Sequence, residues 1–229
     1  VGFIDLIKNA TCFSNGNMMV SFDVTSLFTC LPLEDSIEYA VELLYSKSTY
    51  NKYNLSSTVL RNLLLLATKN IIFSCNGKYY MQIDGVAMGS PLGPVLANIF
   101  MSQIDQRIRT SAPVPVYLYQ RYVDDTFMVL RNIEDVEIMH KWINSLYSNI
   151  AFTYEVEKDG KLAFLDVMVF RDSINSIATR VFVKSTDTGL LPNKNCFMPT
   201  VYKYSSILYL INRAWSHTCL LYTSDAADD

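Results

Sequence analysis

Histidine is nearly missing from this chain: His140 and His217 are the only two in 229 residues. Two isolated imidazoles exclude a histidine-rich zinc centre and argue against a histidine-based triad. Cysteine is sparse too. Positions 12, 30, 75, 196 and 219 show no C-x-x-C and no metal-type pairing, so they read as reduced thiols, mostly in the core. Charged residues make up only 18% against 50% hydrophobic, which excludes disorder over most of the length and supports a sizeable core. No basic segment precedes an apolar run at the N-terminus, so no signal peptide is seen. The longest uncharged stretch, Gly85–Ile104, carries two prolines and three glycines, which excludes a transmembrane helix, and no membrane partner is expected. The start at Val1 rather than Met reads as that of a fragment.

An excess of basic residues is also lacking. The formal net charge is −3, awkward for a nucleic-acid binder. Its distribution is more favourable. Arg180, Lys184, Lys194, Lys203 and Arg213 face only Asp187 between positions 180 and 217, and Arg107, Arg109 and Arg121 have no acid between them. The last residues, Cys219–Asp229, do not fit the rest and resemble a translated sequencing adapter. Without Asp225, Asp228 and Asp229 the net charge rises from −3 to 0.

What the chain does have is a pair of adjacent carboxylates between two β-forming runs. Tyr117–Tyr122 and Thr126–Leu130 are rich in Tyr, Val, Thr and Phe, which predicts a hairpin with Asp124 and Asp125 at its tip. Like charges side by side raise each other's pKa, so the pair belongs in water or against a cation. Asp is a common turn residue, and a solvated turn is the plainer reading of such a pair alone. Apolar strands on both sides give this tip a fixed place. Asp23 is the only charge between Asn9 and Leu33 and lies in a short strand with Met19, Val20, Phe22 and Val24. A buried lone carboxylate is costly unless paired or metal-bound. On neighbouring strands, Asp23 and Asp124 form a hard oxygen site suited to Mg²⁺. Two such ions about 3.5–4 Å apart are the usual device for in-line phosphoryl transfer.

Along the chain, Phe3, Ile4 and Ile7 mark a short helix, followed by a polar turn at Ser14–Asn17. Pro32, Glu34 and Asp35 suit a helix start, with Ile37, Ala40, Val41, Leu44 and Tyr45 on one face. A polar connection at Ser48–Asn54 leads to a second helix, capped by Ser56 or Ser57, with Val59, Leu60, Leu63, Leu64 and Ala67 inward. Cys75-Asn76-Gly77 predicts a hairpin turn. Gly85, Gly89 and Gly93 either admit a nucleotide close to the backbone or simply form a loop before a helix starting near Pro91. A helix at Glu134–Ser148, strands at Phe152–Val156, Leu162–Phe170 and Ile177–Val183, and a helix at Lys203–His217 complete the pattern. The order predicts an α+β fold, an antiparallel sheet covered by helices.

Three ordered blocks carry a family resemblance. Phe22-Asp-Val-Thr-Ser-Leu-Phe28 through Pro32, Gly85-Val-Ala-Met-Gly-Ser-Pro-Leu-Gly-Pro94 through Asn98, and Arg121-Tyr-Val-Asp-Asp-Thr-Phe127 resemble motifs A, B and C of reverse transcriptases. With Phe152–Glu157, Phe164–Val167 and Lys184–Thr188, the flavour resembles that of Penelope-like retroelements. The resemblance implies a right-hand polymerase palm over 1–176, a thumb-like region starting in 177–218, and fingers mostly missing ahead of Asp23. It implies an RNA-directed DNA polymerase of a retrotransposon, acting in the nucleus on an RNA template, a DNA primer and dNTPs. A GIY-YIG endonuclease follows in some relatives.

By that resemblance Asp23, Asp124 and Asp125 are catalytic and, with the Val24 carbonyl, hold two Mg²⁺ ions, Mn²⁺ being the other candidate. Phe28 crowds the sugar 2′ carbon and selects dNTPs, or else is simply core. Met88 and Gly89 border the nucleotide. Lys184 and Arg121 contact nucleic acid. Glu155, Glu157 and Asp166 read as structural or surface. Met88, Cys30 and Gly93 depart from the commoner residues at their positions, without removing a metal ligand. Two readings compete with the active enzyme. One is a non-catalytic, truncated remnant that at most binds nucleic acid. The other is an RNA-templated RNA polymerase, against which Phe28 argues.

Overall fold

The computed structural model describes residues 2–10, 12–13, 16–46, 55–171 and 177–218. The adapter-like tail, the polar connection at Ser48–Asn54 and part of the Ser14–Asn17 turn lie outside the described residues. In chain order the elements are α1 (Phe3–Asn9), β1 (Met18–Val24), α2 (Leu27–Cys30), α3 (Leu33–Ser46), α4 (Ser57–Thr68), β2 (Ile72–Cys75), β3 (Lys78–Met81) and α5 (Gly93–Ser111). Then follow β4 (Leu118–Tyr122), β5 (Asp125–Leu130), α6 (Ile133–Ser145), β6 (Phe152–Val156), β7 (Lys161–Phe164), β8 (Val167–Arg171), β9 (Ile177–Val181) and α7 (Thr200–His217).

Strand alternation explains the layering. The central sheet has the order β4-β5-β1-β6, antiparallel throughout. On β1 the even residues Val20, Phe22 and Val24 point to one face, where Met128, Leu130 and Phe152 join them. That face is buried under α3, α5 and α6 through Ile37, Leu96, Phe100, Ile104, Met139 and Ile143. Phe22 and Phe100 are fully buried, each worth about 1.5–3 kcal/mol relative to exposure. The odd residues Met19, Phe127 and Val129 face the other way and pack on a second sheet, β7-β8-β9, through Leu162, Phe164 and Val169.

The second sheet covers only part of that face. Met19 is fully buried, Ser21 half-buried and Asp23 exposed. One strand thus runs from core to solvent in three same-face steps. The lone carboxylate is therefore not buried, as its apolar neighbours led us to expect. It stands where the covering layer ends.

Local signals hold in several places. The Ser56 hydroxyl accepts from the Val59 N–H at 3.3 Å and caps α4. Ser36 donates to the Pro32 carbonyl at 2.7 Å in the first turn of α3. Other expectations are corrected. Leu162–Phe170 is two strands, not one, because Leu165 takes φ 55° and the chain turns back at Leu165–Asp166. The inward face of α4 is Leu60, Leu64, Leu65 and Thr68, while Val59, Leu63 and Ala67 are exposed. Among the described cysteines none is fully buried: Cys12, Cys30 and Cys196 are half-buried and Cys75 is exposed. β9 pairs with β8 from Ile177, so the second sheet runs across the boundary expected there. No helix among the described residues is long and apolar enough to cross a membrane.

Candidate active site at the open end of the central sheet

β4 and β5 form the expected hairpin, with Tyr122 paired to Asp125 and only Val123 and Asp124 between them. Val123 has φ 56°, a left-handed conformation that a β-branched residue rarely adopts. The register places the carboxylates. Phe22 pairs with Thr126 and Ser21 with Phe127, so Asp23 and Asp125 share the odd face of the sheet, one step from its open end. Asp124 stands beside them on the turn.

Their charges interact. The Asp23 carboxyl is held above the usual carboxylate range, first by partial desolvation, then by Asp124, with a smaller push from Glu155; the Val24 N–H acts in the opposite sense. Asp125 is also raised, by desolvation first, then by Asp124 and Asp23, while Lys184 opposes the rise. A cavity of about 300 Å³ opens here, with Asp23, Asp125, Thr153, Glu155 and Lys184 in its wall. Glu155 belongs to this acidic face because Ser21 pairs with Glu155 and Asp23 with Thr153 on β6. It was expected to be structural or surface. The alternation Phe152, Tyr154, Val156 inward was the available signal, since it turns Thr153 and Glu155 toward Asp23.

Residues 3–163 match the reverse transcriptase (RNA-dependent DNA polymerase) family. The chain belongs to that family. No curated protein matches it. Among solved structures, this reverse transcriptase domain is similar to the telomerase of Candida albicans in complex with a TWJ fragment of telomeric RNA. The TM-score is 0.60, with 14% identity, over 86% of this chain and 34% of that one. It is also similar to the apo telomerase of Candida tropicalis, with TM-score 0.55 and 12% identity, over 73% of this chain and 33% of that one. At such identities the likeness shows the fold, an α+β palm-like arrangement. The chain spans about a third of the length of those telomerases.

The motif B glycines of the domain have different jobs. A Cβ on Gly85, where φ is +71°, would lie 2.4 Å from the Phe28 carbonyl oxygen and 2.5 Å from that of Thr29. Val86 N–H donates to the same Phe28 oxygen at 2.7 Å. Gly85 therefore docks the motif B loop onto α2 and does not face a nucleotide. Gly93 has Val86 and Phe28 within contact distance of an added Cβ. Gly89, with φ +97°, has nothing within 4 Å and faces open space, beside an exposed Met88. Phe28 is half-buried between the core and this loop.

Arg121 lies on the opposite face of the sheet from Asp23 and Asp125. It pairs with Thr126 across the hairpin, on the even face, and its guanidinium is bound by Asp105 of α5 at 2.7 and 2.8 Å. Its side chain is 11% exposed. The nucleic-acid contact expected of Arg121 has to be weighed against this engagement with Asp105. Lys184 does border the site, lining the acidic cavity and a larger one of about 630 Å³ between Tyr122, Leu165 and Trp215.

The donor set is all oxygen, and desolvation, then mutual repulsion, raises two of the three carboxyls, so a hard divalent cation suits it chemically. The ligands are not gathered in advance. Among the described residues no group of three or more His, Cys, Asp or Glu is close enough to hold a metal ion.

Proposed function

We propose that this domain is the palm of an RNA-directed DNA polymerase encoded by a retrotransposon of Penelope-like type, adding dNTPs to a DNA primer on an RNA template. Support comes from one observation above the others: Asp23 shares the open end of one sheet with Asp124 and Asp125, about a hundred positions further along the sequence. The motif B loop, docked on α2 through Gly85 and Val86, presents Gly89 to open space.

In this reading Asp23, Asp124 and Asp125 would hold two Mg²⁺ ions, or Mn²⁺ in their place, with the Val24 carbonyl as a neutral ligand. A divalent metal held by these carboxylates would supply Lewis-acid activation of the primer 3′-hydroxyl and charge neutralisation for the pyrophosphate leaving group. The protein's own contribution is placement. Asp23 is fixed by two flanking strands and Asp124 by a two-residue turn. Phe28, held by α2 against the Gly93 backbone, stands as the wall beside the sugar and excludes a 2′-hydroxyl. Met88 and Gly89 leave the backbone bare for the incoming nucleotide. Lys184 approaches template–primer phosphate while damping the repulsion around Asp125. The full-length protein is proposed to act in the nucleus and to carry a GIY-YIG endonuclease downstream.

The second reading, a non-catalytic remnant that binds nucleic acid, draws on the carboxylates not being gathered into a ligand cluster. Primer extension separates the two. Full-length protein with Mg²⁺, dNTPs and a primed RNA is expected to extend the primer. Binding without extension would support the remnant.

A further inference from the structure

We infer that Asp105, on the helix behind the sheet, is a positioning residue for Asp124, acting through Arg121 and the Val123 peptide. The inference deepens the polymerase reading and rests on it for its kinetic arm.

Arg121 uses four of its five N–H groups. Nε and Nη2 donate to the two Asp105 oxygens at 2.8 and 2.7 Å. Nη1 donates to the Val123 carbonyl at 2.8 Å and to Asn98 Oδ1 at 3.1 Å. Asn98 and Asp105 lie seven residues apart on one face of α5. The Tyr119 hydroxyl adds a donation to Asp105 at 2.5 Å, and burial, then Asp105, push that phenol above its usual range. The fork is largely buried, with Arg121 11% and Asp105 16% exposed in their side chains.

The oxygen that Arg121 grips belongs to the peptide joining Val123 to Asp124. A peptide unit is planar, so restraining its oxygen also restrains the nitrogen and Cα of Asp124. Val123 is at φ 56°, a conformation that persists only when its surroundings impose it. The grip supplies that imposition. It also joins the catalytic turn to α5, whose first residue, Gly93, closes the motif B loop. Turn and loop are thus set against one rigid element.

The test uses full-length protein carrying Asp105→Asn, Arg121→Lys, and the double variant Asp105→Asn with Arg121→Met. The double variant removes both buried charges together and so avoids leaving one unpaired. Amide hydrogen exchange at 123–125 is expected to accelerate in all three, while β1 and β5 keep their protection. The incorporation rate is expected to fall about 100-fold, as for a roughly 1 Å misplacement, with primer–template affinity unchanged. Arg121→Lys keeps the charge and loses the fork, so it is expected not to rescue. Unchanged exchange at the turn in the double variant overturns the inference, as does full activity of Arg121→Lys. If the wild-type protein does not extend primers while the turn still loosens in the variants, the polymerase reading falls and the grip on the turn stands.

Discussion

Replacing Gly85 with alanine should separate packing from nucleotide access in motif B. At Gly85 the new Cβ meets two backbone oxygens of α2, at 2.4 and 2.5 Å, and neither can swing away as a side chain would. The left-handed backbone costs an alanine about 1–2 kcal/mol, and forcing a carbon into filled space adds about 1–3 kcal/mol. The sum, about 2–5 kcal/mol, is a large share of a typical stability of about 5–15 kcal/mol. Gly89→Ala incurs the backbone strain alone, about 1–2 kcal/mol, because nothing lies within 4 Å of its Cβ. At about 2–4 °C per kcal/mol, Gly85→Ala should melt roughly 2–12 °C below Gly89→Ala in a thermal scan. Gly89→Ala should remain folded yet lose nucleotide incorporation. A Gly85→Ala protein that melts with the wild type, or a Gly89→Ala protein that is the less stable of the two, would refute this division of labour.

The raised Asp125 carboxyl makes a pH-dependent prediction. An acid whose folded pKa is raised favours the fold below its unfolded pKa, about 3.9, and loses that contribution as pH rises through the higher folded value. Asp125→Asn should therefore melt above wild type at neutral pH without metal, and the gap should close as pH falls toward about 4; a gap that widens on acidification contradicts this. Phe28→Ala should lower discrimination against rNTPs about 10- to 100-fold, read from paired dNTP and rNTP incorporation rates; unaltered sugar selectivity removes the proposed wall. Lys184→Ala should weaken primer–template binding across sequences and reduce the salt slope by about 1 in a titration of binding against salt; an unchanged slope means that it touches no phosphate.

The hairpin was legible because period-two patterning and an acidic tip fall together at 117–130. The placement of Asp23 beside it was legible because its strand is too apolar to lie elsewhere than in the sheet. Exposure of Asp23 was not legible, since it depends on where β7–β9 stop covering β1, and nothing in the local pattern records that edge. The reading of Arg121 differs for a related reason. No acid separates it from Arg107 and Arg109 in sequence, but one step of alternation turns it to the helix side, where it meets Asp105, sixteen residues away. The Leu165–Asp166 turn carries neither Gly nor Asn, so one strand was expected where two form. Gly85 and Gly89 look alike in sequence, and only the closeness of α2 distinguishes them. The exposed apolar residues of α7, Leu208 and Trp215 among them, show that helical periodicity alone does not say which face is covered.

The central claim is that Asp23 and Asp124 act on one reaction centre. Primer extension by the full-length protein on primed RNA, with Mg²⁺ and dNTPs, compared with Asp124→Asn and Asp23→Asn, addresses it most directly. Extension in the wild type and none in either variant, with primer–template binding retained in all three, is the outcome predicted. Extension by either variant at the wild-type rate would contradict it.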